Sequence, residues 1–221
     1  MAGITTAMTT SFKGDVLSAL HNFNAVITFT GTSGNATFTL TSVSALTGLA
    51  VGMTLSGTNI TANSVIASID SATQITMSKA SGAAPGANTT TATGDAWKTA
   101  LFKVGVAGTY GAATTNYTDM TGNTDEVVAG GGYSTGGTAL TNVSPTTSGT
   151  TGFINFSPNP SWTAATFSCI GCMIYNNSQR GPIATRAAAV YDFGGTQSVS
   201  AGTFTAVMPA AAAGTAILRI A

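Results

Sequence analysis

The chain has very few charged side chains. Seven Lys or Arg and seven Asp or Glu among 221 residues make it 6% charged, whereas an ordinary soluble domain is about 25% charged. Charge normally keeps soluble monomers apart. We therefore expect a chain that lacks it to work packed in an assembly, against other copies or other chains, and not as a free catalyst.

Other absences narrow the choice of partners. The net charge is zero and no basic stripe is present, so nucleic acid is not an expected partner. The start has no basic segment followed by an apolar one, which argues against a secretory signal. The most apolar stretch near the end, residues 207–213, contains Pro209 and is too short to span a bilayer. These features predict a product made in a cytoplasm, with no membrane partner.

The apolar pattern near the start predicts one amphipathic helix over residues 5–23. Met8, Phe12, Val16 and Leu20 recur every four residues, and Leu17 lies beside them. This spacing places them in one stripe on a helix. The helix either packs on its own domain or acts as an arm that docks on a neighbouring subunit.

From residue 26 onward the apolar residues alternate with polar ones. Short alternating runs bounded by Gly, Ser, Asn or Pro include Met53 with Leu55, Ile75 with Met77, and the run from Ile217 to Ile220. Many short strands separated by turns are typical of an all-β sandwich or barrel. The sequence therefore predicts an all-β fold, a jelly-roll-like β-sandwich with one N-terminal helix and a β-rich insert.

Three segments are predicted along the chain. Residues 1–26 form an N-terminal arm with the helix, residues 27–94 an inserted β-module, and residues 95–221 the main β-sandwich domain. The low-complexity run 81–91 (SGAAPGANTTT) indicates a flexible connection at the end of the insert. If the module is an insert, the helix should pack on the third segment.

Cys169 and Cys172 have the CxxC spacing of metal and redox sites. A zinc site needs four ligands, and this chain offers two Cys and one distant His. A redox Cys needs a helix N-terminus, whereas the flanks here are strand-like. A spacing of three on a regular strand points the thiols to opposite faces. We interpret both as reduced, metal-free, buried apolar residues.

Two glycine-containing motifs are also expected to be structural. Asp192-Phe193-Gly194 looks like the metal-binding triplet of protein kinases, but the other kinase motifs are missing, so we expect a strand end followed by a turn. The run from Gly130 to Gly137 precedes a strand-like stretch, whereas a phosphate-binding loop precedes a helix. We expect these glycines to serve in turns and bulges.

The remaining polar candidates do not form a catalytic pattern. His21 is expected at the helix end, where a cation is mildly favoured, and no Ser-His-Asp or Cys-His arrangement surrounds it. Asp125-Glu126 is the only adjacent acidic pair. A calcium loop needs more carboxylates, so a solvated loop is expected. The sequence predicts no enzyme and no catalytic, cofactor-binding or metal-binding residue.

Several segments resemble structural proteins of tailed bacteriophages. Residues 48–60 (GLAVGMTLSGTNI), 65–70 (VIASID) and 74–79 (QITMSK) look like a small β-module that recurs in phage virion proteins. Residues 9–13, 21–23, 173–177, 188–194 and 217–221 are similar to uncharacterised phage structural proteins whose helix runs almost straight into the first strand. The resemblance implies that the module is an insert and that the chain is located in a virion. The cysteine pair is a departure from the family.

These observations predict a capsid decoration (cement) protein that strengthens a phage shell through protein–protein contacts. Its partners would be the major capsid protein or other virion proteins, and it would form a homo-oligomer, with a trimer as the expected state. One alternative is a tail or head fibre that binds host surface glycans, favoured if Tyr110, Tyr117 and Tyr133 lie on exposed loops. Another is a self-assembling β-fibre subunit that adds strands to open sheet edges.

Overall fold

A computed structural model describes residues 2–178 and 184–220. About 50% of the chain is strand and 7% is helix, which confirms the predicted all-β, sandwich-like class. The chain divides into two compact units. Unit 1 comprises Met1–His21, Ala96–Thr141 and Pro145–Ala221, and unit 2 comprises Asn22–Asp95 with Asn142–Ser144.

Sixteen strands and two helices are present in the described residues. In chain order they are β1 (Gly3–Ile4), β2 (Ala7–Met8), α1 (Thr10–Leu17), β3 (Ile27–Ser33), β4 (Thr39–Thr41), β5 (Thr54–Gly57), β6 (Ser64–Ser71), β7 (Gln74–Met77), β8 (Gly86–Thr93), β9 (Trp97–Lys103), β10 (Thr109–Tyr110), α2 (Tyr117–Gly122), β11 (Thr138–Leu140), β12 (Asn142–Ser148), β13 (Thr151–Phe156), β14 (Ser161–Asn176), β15 (Ala187–Thr205) and β16 (Leu218–Ile220).

Unit 2 is a closed barrel of six strands in the order β3-β4-β7-β6-β5-β8. Alternate residues point inward, and the side chains that fill the interior are Phe29, Leu40, Val43, Leu49, Met53, Leu55, Ile66, Ile75, Met77 and Ala92. Threonines such as Thr28 and Thr30 alternate with them on the outer surface. Their branched side chains suit a pleated, half-exposed surface.

The run 81–91 is not a flexible connection, so that prediction is wrong. Most of it belongs to β8, which pairs with β3 on one side and β5 on the other and so closes the barrel. Thr90 and Ala92 are buried, while Thr89 is exposed. Low complexity concealed a strand here because threonine and alanine can provide the alternation that bulkier apolar residues usually provide.

The largest sheet of unit 1 has five strands in the order β11-β9-β14-β15-β2. Both faces of its inner strand β9 are covered. On β9, Ala100 and Phe102 belong to one apolar cluster with Met173 and Tyr175, whereas Leu101 belongs to another with Cys172. Residues 100–102 of this strand (ALF) therefore form a continuous apolar run.

Two smaller sheets complete unit 1. Strands β12, β13 and β16 form a three-stranded sheet in which β13 and β16 are antiparallel, and β1 pairs with β10 in parallel. Asp192-Phe193-Gly194 lies inside β15 and not at a strand end. A large bulge in the pairing of β15 with β14 occurs there, since the register jumps from Asp192 to Gln197. Gly194 has a φ of 74°.

The predicted helix over residues 5–23 is much shorter than expected. α1 begins after Thr9, whose hydroxyl accepts a hydrogen bond from the Phe12 N–H at 3.3 Å, and it ends before Ser18. Residues 7 and 8 pair with β15 instead. Phe12 is buried and Leu17 is 87% exposed, so the apolar stripe holds only in part. α1 packs against β15 in unit 1, and Asp15 at its last turn pairs with Arg186.

A second short helix, α2, was not predicted. Asn116 and Asp119 form a capping box at its start, a polar signal that periodicity does not detect. Neither described helix combines the length and hydrophobicity that crossing a membrane would require.

Candidate functional site

Asp125 and Glu126 are buried, so the predicted solvated loop is wrong. They follow α2, and their exposed fractions are 0% and 9%. Their backbone lies along β9, with hydrogen bonds from Lys103 N to Asp125 O and from Val127 N to Leu101 O. A buried carboxylate needs hydrogen bonds or a cation to compensate for lost water.

Asp125 is held mainly by N–H and O–H donors. It accepts hydrogen bonds from Ala107 N and Gly108 N at 2.9 and 2.8 Å and from the Tyr110 hydroxyl at 2.7 Å. Lys103 Nζ lies 3.6 Å away. Burial alone would raise the pKa of Asp125, but the backbone donors outweigh it and hold that pKa below its usual value. Asp125 therefore stays ionised and fixes the turn at 107–108.

Glu126 lies at the centre of a group of tyrosines. It accepts hydrogen bonds from the hydroxyls of Tyr117 at 2.5 Å and Tyr133 at 2.7 Å, and from Gly136 N at 2.6 Å. Tyr175 donates to Gly136 O at 2.8 Å and stacks on Tyr117 with ring centres 4.6 Å apart. We call Asp125, Glu126, Tyr110, Tyr117, Tyr133 and Tyr175 the carboxylate–tyrosine cluster.

The tyrosines of this cluster act as donors. Burial raises the pKa of Tyr110, Tyr117, Tyr133 and Tyr175 well above the ordinary value, and the neighbouring carboxylates raise it further. The phenols are therefore protonated at neutral pH. Tyr110 and Tyr133 are buried and Tyr117 is only partly exposed, so the exposure that would favour a glycan-binding fibre is not found at these three residues.

The cluster holds residues 130–137, which we call the glycine loop. Its glycines occupy turns, as predicted, and Gly130, Gly131, Gly132, Gly136 and Gly137 all have positive φ. A Cβ at Gly137 would lie 1.8 Å from Thr99 O, and one at Gly132 would lie 2.6 Å from Thr163 O. Glycine is required because the loop backbone rests directly on β9 and β14.

Cys169 and Cys172 lie in one apolar cluster, so the expectation that they point to opposite faces is wrong. A bulge between Cys169 and Gly171 shifts the pairing of β14 with both neighbours and turns the two thiols the same way. Both are free and buried. Burial raises the pKa of each thiol to about 12, so neither ionises readily. Thiolate is the nucleophilic and metal-binding form.

His21 lies beyond the end of α1 and not within its last turn. Its Nε2 is 3.5 Å from Asp15 Oδ2, and its Nδ1 is 2.9 Å from Asn176 Nδ2. Its ring packs against Phe12 and Trp97. Both carboxylate oxygens of Asp15 also accept short hydrogen bonds from Arg186 Nη1. This group fastens the start of the chain to β14 and β15, and it is dominated by packing and ion pairing.

Within residues 2–178 and 184–220, no group of three or more His, Cys, Asp or Glu is placed to hold a metal ion. The buried carboxylates Asp15, Asp125 and Glu126 of unit 1 instead accept hydrogen bonds from donors that fix loops and the start of the chain. Sequence reasoning missed this because a carboxylate that is buried among several tyrosines has no local sequence signature. The only hint is that Tyr110, Tyr117 and Tyr133 are close in sequence to Asp125-Glu126.

The surface is even poorer in charge than the composition indicates. Four of the seven acidic residues are buried: Asp15, Asp95, Asp125 and Glu126. Among the described residues, the charged side chains in exposed positions are Lys13, Asp70, Lys79, Asp192 and Arg219. Residues 127–179 and 193–218 contain no Asp, Glu, Lys, Arg or His. These stretches include all of β14 and most of β15, which form a long hairpin.

Comparison with known proteins gives no relative. No family model matches the chain, and neither a curated protein nor a solved structure matches it.

Proposed function

We propose that this chain is a structural virion protein of a tailed bacteriophage that decorates and stabilises the capsid through protein–protein contacts. Its partner is the major capsid protein or another virion protein, and it acts as a homo-oligomer. The scarcity of exposed charge is the observation that carries this proposal. The likeness of residues 48–79 to a phage virion module supplies the phage context.

The charge argument can be made quantitative. The accessible surface of the chain is 10072 Å², and five exposed charged side chains are described. Adding the partly exposed Lys98, Lys103, Asp119 and Arg186 makes nine described charges, so each corresponds to about 1,100 Å², whereas one side of a standard interface covers about 800 Å². Neutral patches of interface size are thus available over much of the surface. Covering them removes little ionic hydration, so docking carries a small desolvation cost.

The buried polar groups support a scaffold role. The hydrogen bonds of the carboxylate–tyrosine cluster and of the Asp15–Arg186 pair fix loops and the start of the chain. A rigid scaffold is favourable for a cement protein, because little conformational entropy is lost on docking.

Copy number on particles tests the proposal. Particles of the phage whose genome encodes the chain should carry hundreds of copies, measured by quantitative mass spectrometry relative to the major capsid protein. Because neutral contacts are insensitive to screening, the protein should remain bound in about 1 M salt, where the Debye length is about 3 Å. A few copies per particle would favour the fibre alternative, and complete absence from particles would refute the proposal.

Lysine substitutions locate the docking surface. Thr30→Lys places a charge on the barrel and Thr203→Lys places one on the hairpin, both at exposed positions. One of them should reduce particle binding at least tenfold, because a buried unpaired charge is costly. Lys79→Ala, which removes an exposed charge, is the matched control and should leave binding unchanged. Binding that tolerates lysine throughout the neutral surface would contradict the charge argument.

A further inference from the structure

A small cleft lies beside the glycine loop in unit 1. Its volume is about 210 Å³, and its lining residues are Gly132, Ser134, Gly137, Thr138, Ser161, Trp162 and Thr163. The volume is many times the space that one water needs. The walls come from the glycine loop, from the start of β11 and from the start of β14.

The lining chemistry is neutral and rich in hydroxyl groups. Four lining residues carry a hydroxyl, and none carries a charge. A hydroxyl both donates and accepts hydrogen bonds, so a wall of hydroxyls matches a ligand that is itself polyhydroxylated. A charged ligand would find no counter-charge on this wall, and its desolvation would be uncompensated.

The cleft is also rigid. Gly132 and Gly137 hold positive φ angles against the backbones of β14 and β9, and Glu126 and Tyr175 bind the two backbone groups of Gly136. Trp162 forms part of the cleft and stacks on Tyr133 from the glycine loop. Preorganised walls lose little entropy when a ligand binds.

We propose that this cleft is a binding subsite for one neutral sugar residue. The hydroxyls of Ser134, Thr138, Ser161 and Thr163 recognise the sugar hydroxyls, and the buried Trp162 forms part of the wall behind them. The carboxylate–tyrosine cluster acts as a positioning group that shapes the loop and does not touch the ligand. This inference does not depend on the docking of the chain on a capsid.

Saturation-transfer NMR on the full chain tests this subsite, with glucose, galactose and N-acetylglucosamine as neutral probes and glucuronic acid as the anionic probe. At least one neutral sugar should bind with a Kd of about 1 mM, the range that a few hydrogen bonds support. Glucuronic acid should bind more weakly than the neutral sugars. Absence of signal from all three neutral sugars, or stronger binding of the acid, would overturn the proposal.

Substitutions assign the binding to the cleft. Thr138→Val and Thr163→Val keep the side-chain shape and remove a hydroxyl. Each should therefore raise the Kd for the sugar about three- to tenfold. Ser134→Ala does the same at an exposed position where folding is not at risk. Thr203→Val, on β15 outside the cleft, is the control and should not change Kd. Sugar binding that survives the combination of Ser134→Ala with Thr138→Val would also overturn the proposal.

Discussion

In the barrel of unit 2, each strand buries one face, whereas in the five-stranded sheet of unit 1 the inner strand β9 buries both. The barrel interior is filled mainly by apolar side chains, although hydroxyl side chains such as Ser64 and Thr90 are also buried in unit 2. The sheet of unit 1 carries apolar clusters on its two faces and a buried carboxylate pair at one edge of β9. The same chain thus contains a barrel with a mainly apolar interior and a sheet that is bordered by a network of buried carboxylates and tyrosines.

The titratable residues follow the same division. All five tyrosines, both cysteines and both tryptophans belong to unit 1. Unit 2 has only Asp70, Lys79 and Asp95 as charged residues. The two regions should therefore respond differently to pH, and tryptophan fluorescence reports on unit 1 alone.

The largest expected difference is alkaline unfolding of unit 1. Burial raises the folded-state pKa of Tyr110, Tyr133 and Tyr175 above 10, the usual value in an unfolded chain. Their stabilising contribution is complete below pH 10 and is lost as the pH rises above it, because only the unfolded state ionises there. At pH 11, ionisation of these three groups in the unfolded state should lower the free energy of unfolding of unit 1 by about 4 kcal/mol. Ionisation of the two thiols should lower it further.

Two optical signals check this prediction. Tyrosinate absorbance at about 295 nm should rise together with the loss of native tryptophan fluorescence, since the buried phenols ionise when unit 1 unfolds. The strand signal of the barrel in circular dichroism should persist to higher pH, because unit 2 has no tyrosine or cysteine. Tyrosinate formation near pH 10 with native fluorescence would show that the phenols are not buried donors.

Glycine substitution should give the next largest effect. Gly137→Ala places a Cβ 1.8 Å from Thr99 O at a φ of 69°, so the loop must leave β9. We expect a loss of about 4 kcal/mol in the free energy of unfolding of unit 1, in the range that marks a severe clash. Gly52→Ala in unit 2 also has a positive φ, but nothing lies within 4 Å of its Cβ.

The control variant separates clash from backbone strain. Gly52→Ala should cost only about 1–2 kcal/mol, the left-handed penalty of a residue with a Cβ. Urea unfolding followed by fluorescence for Gly137 and by circular dichroism for Gly52 measures both. Equal effects would mean that the glycine loop does not rest on β9 as described.

The two regions also differ in how far their structure follows from the sequence. Met53 and Leu55, or Ile75 and Met77, point into the barrel as period-two alternation predicts, because one buried face leaves a clear local pattern. Residues 5–9 were misassigned to a helix because pairing of Ala7 and Met8 with β15 is a long-range contact that overrides local spacing. The cysteines were misplaced because a bulge cancels the regular alternation of β14.

Burial of Asp125 and Glu126 could not be predicted either. Their donors come from residues 107–108, 110, 117, 133 and 136, and only the folded chain brings these together. The opposite inference, that an acidic pair is solvated, is the correct default for isolated charges. A chain with so few charges keeps several of them for internal hydrogen bonds.

A carboxylate in each region provides a third contrast. Glu126→Gln removes the negative charge that three donors face, which should cost about 2–3 kcal/mol, as for hydrogen bonds to a charged group. Asp70→Asn, on the barrel surface, changes a carboxylate that accepts from Ser68 and Thr76 in full contact with water. Its effect on barrel stability should be much smaller. Urea unfolding measures each, and a larger effect for Asp70 would reverse the comparison.

The smallest expected effect concerns the cysteines. Replacing Cys169 and Cys172 with alanine removes one buried sulfur at each position and leaves small apolar cavities, so we expect a loss of about 1 kcal/mol per site. Replacement with serine should cost more, because a buried hydroxyl needs a hydrogen-bond partner. Urea unfolding followed by fluorescence distinguishes the two series, and assembly should survive the alanine pair. Stoichiometric zinc in the purified protein, or loss of assembly on double alanine substitution, would show that the thiols do more than fill space.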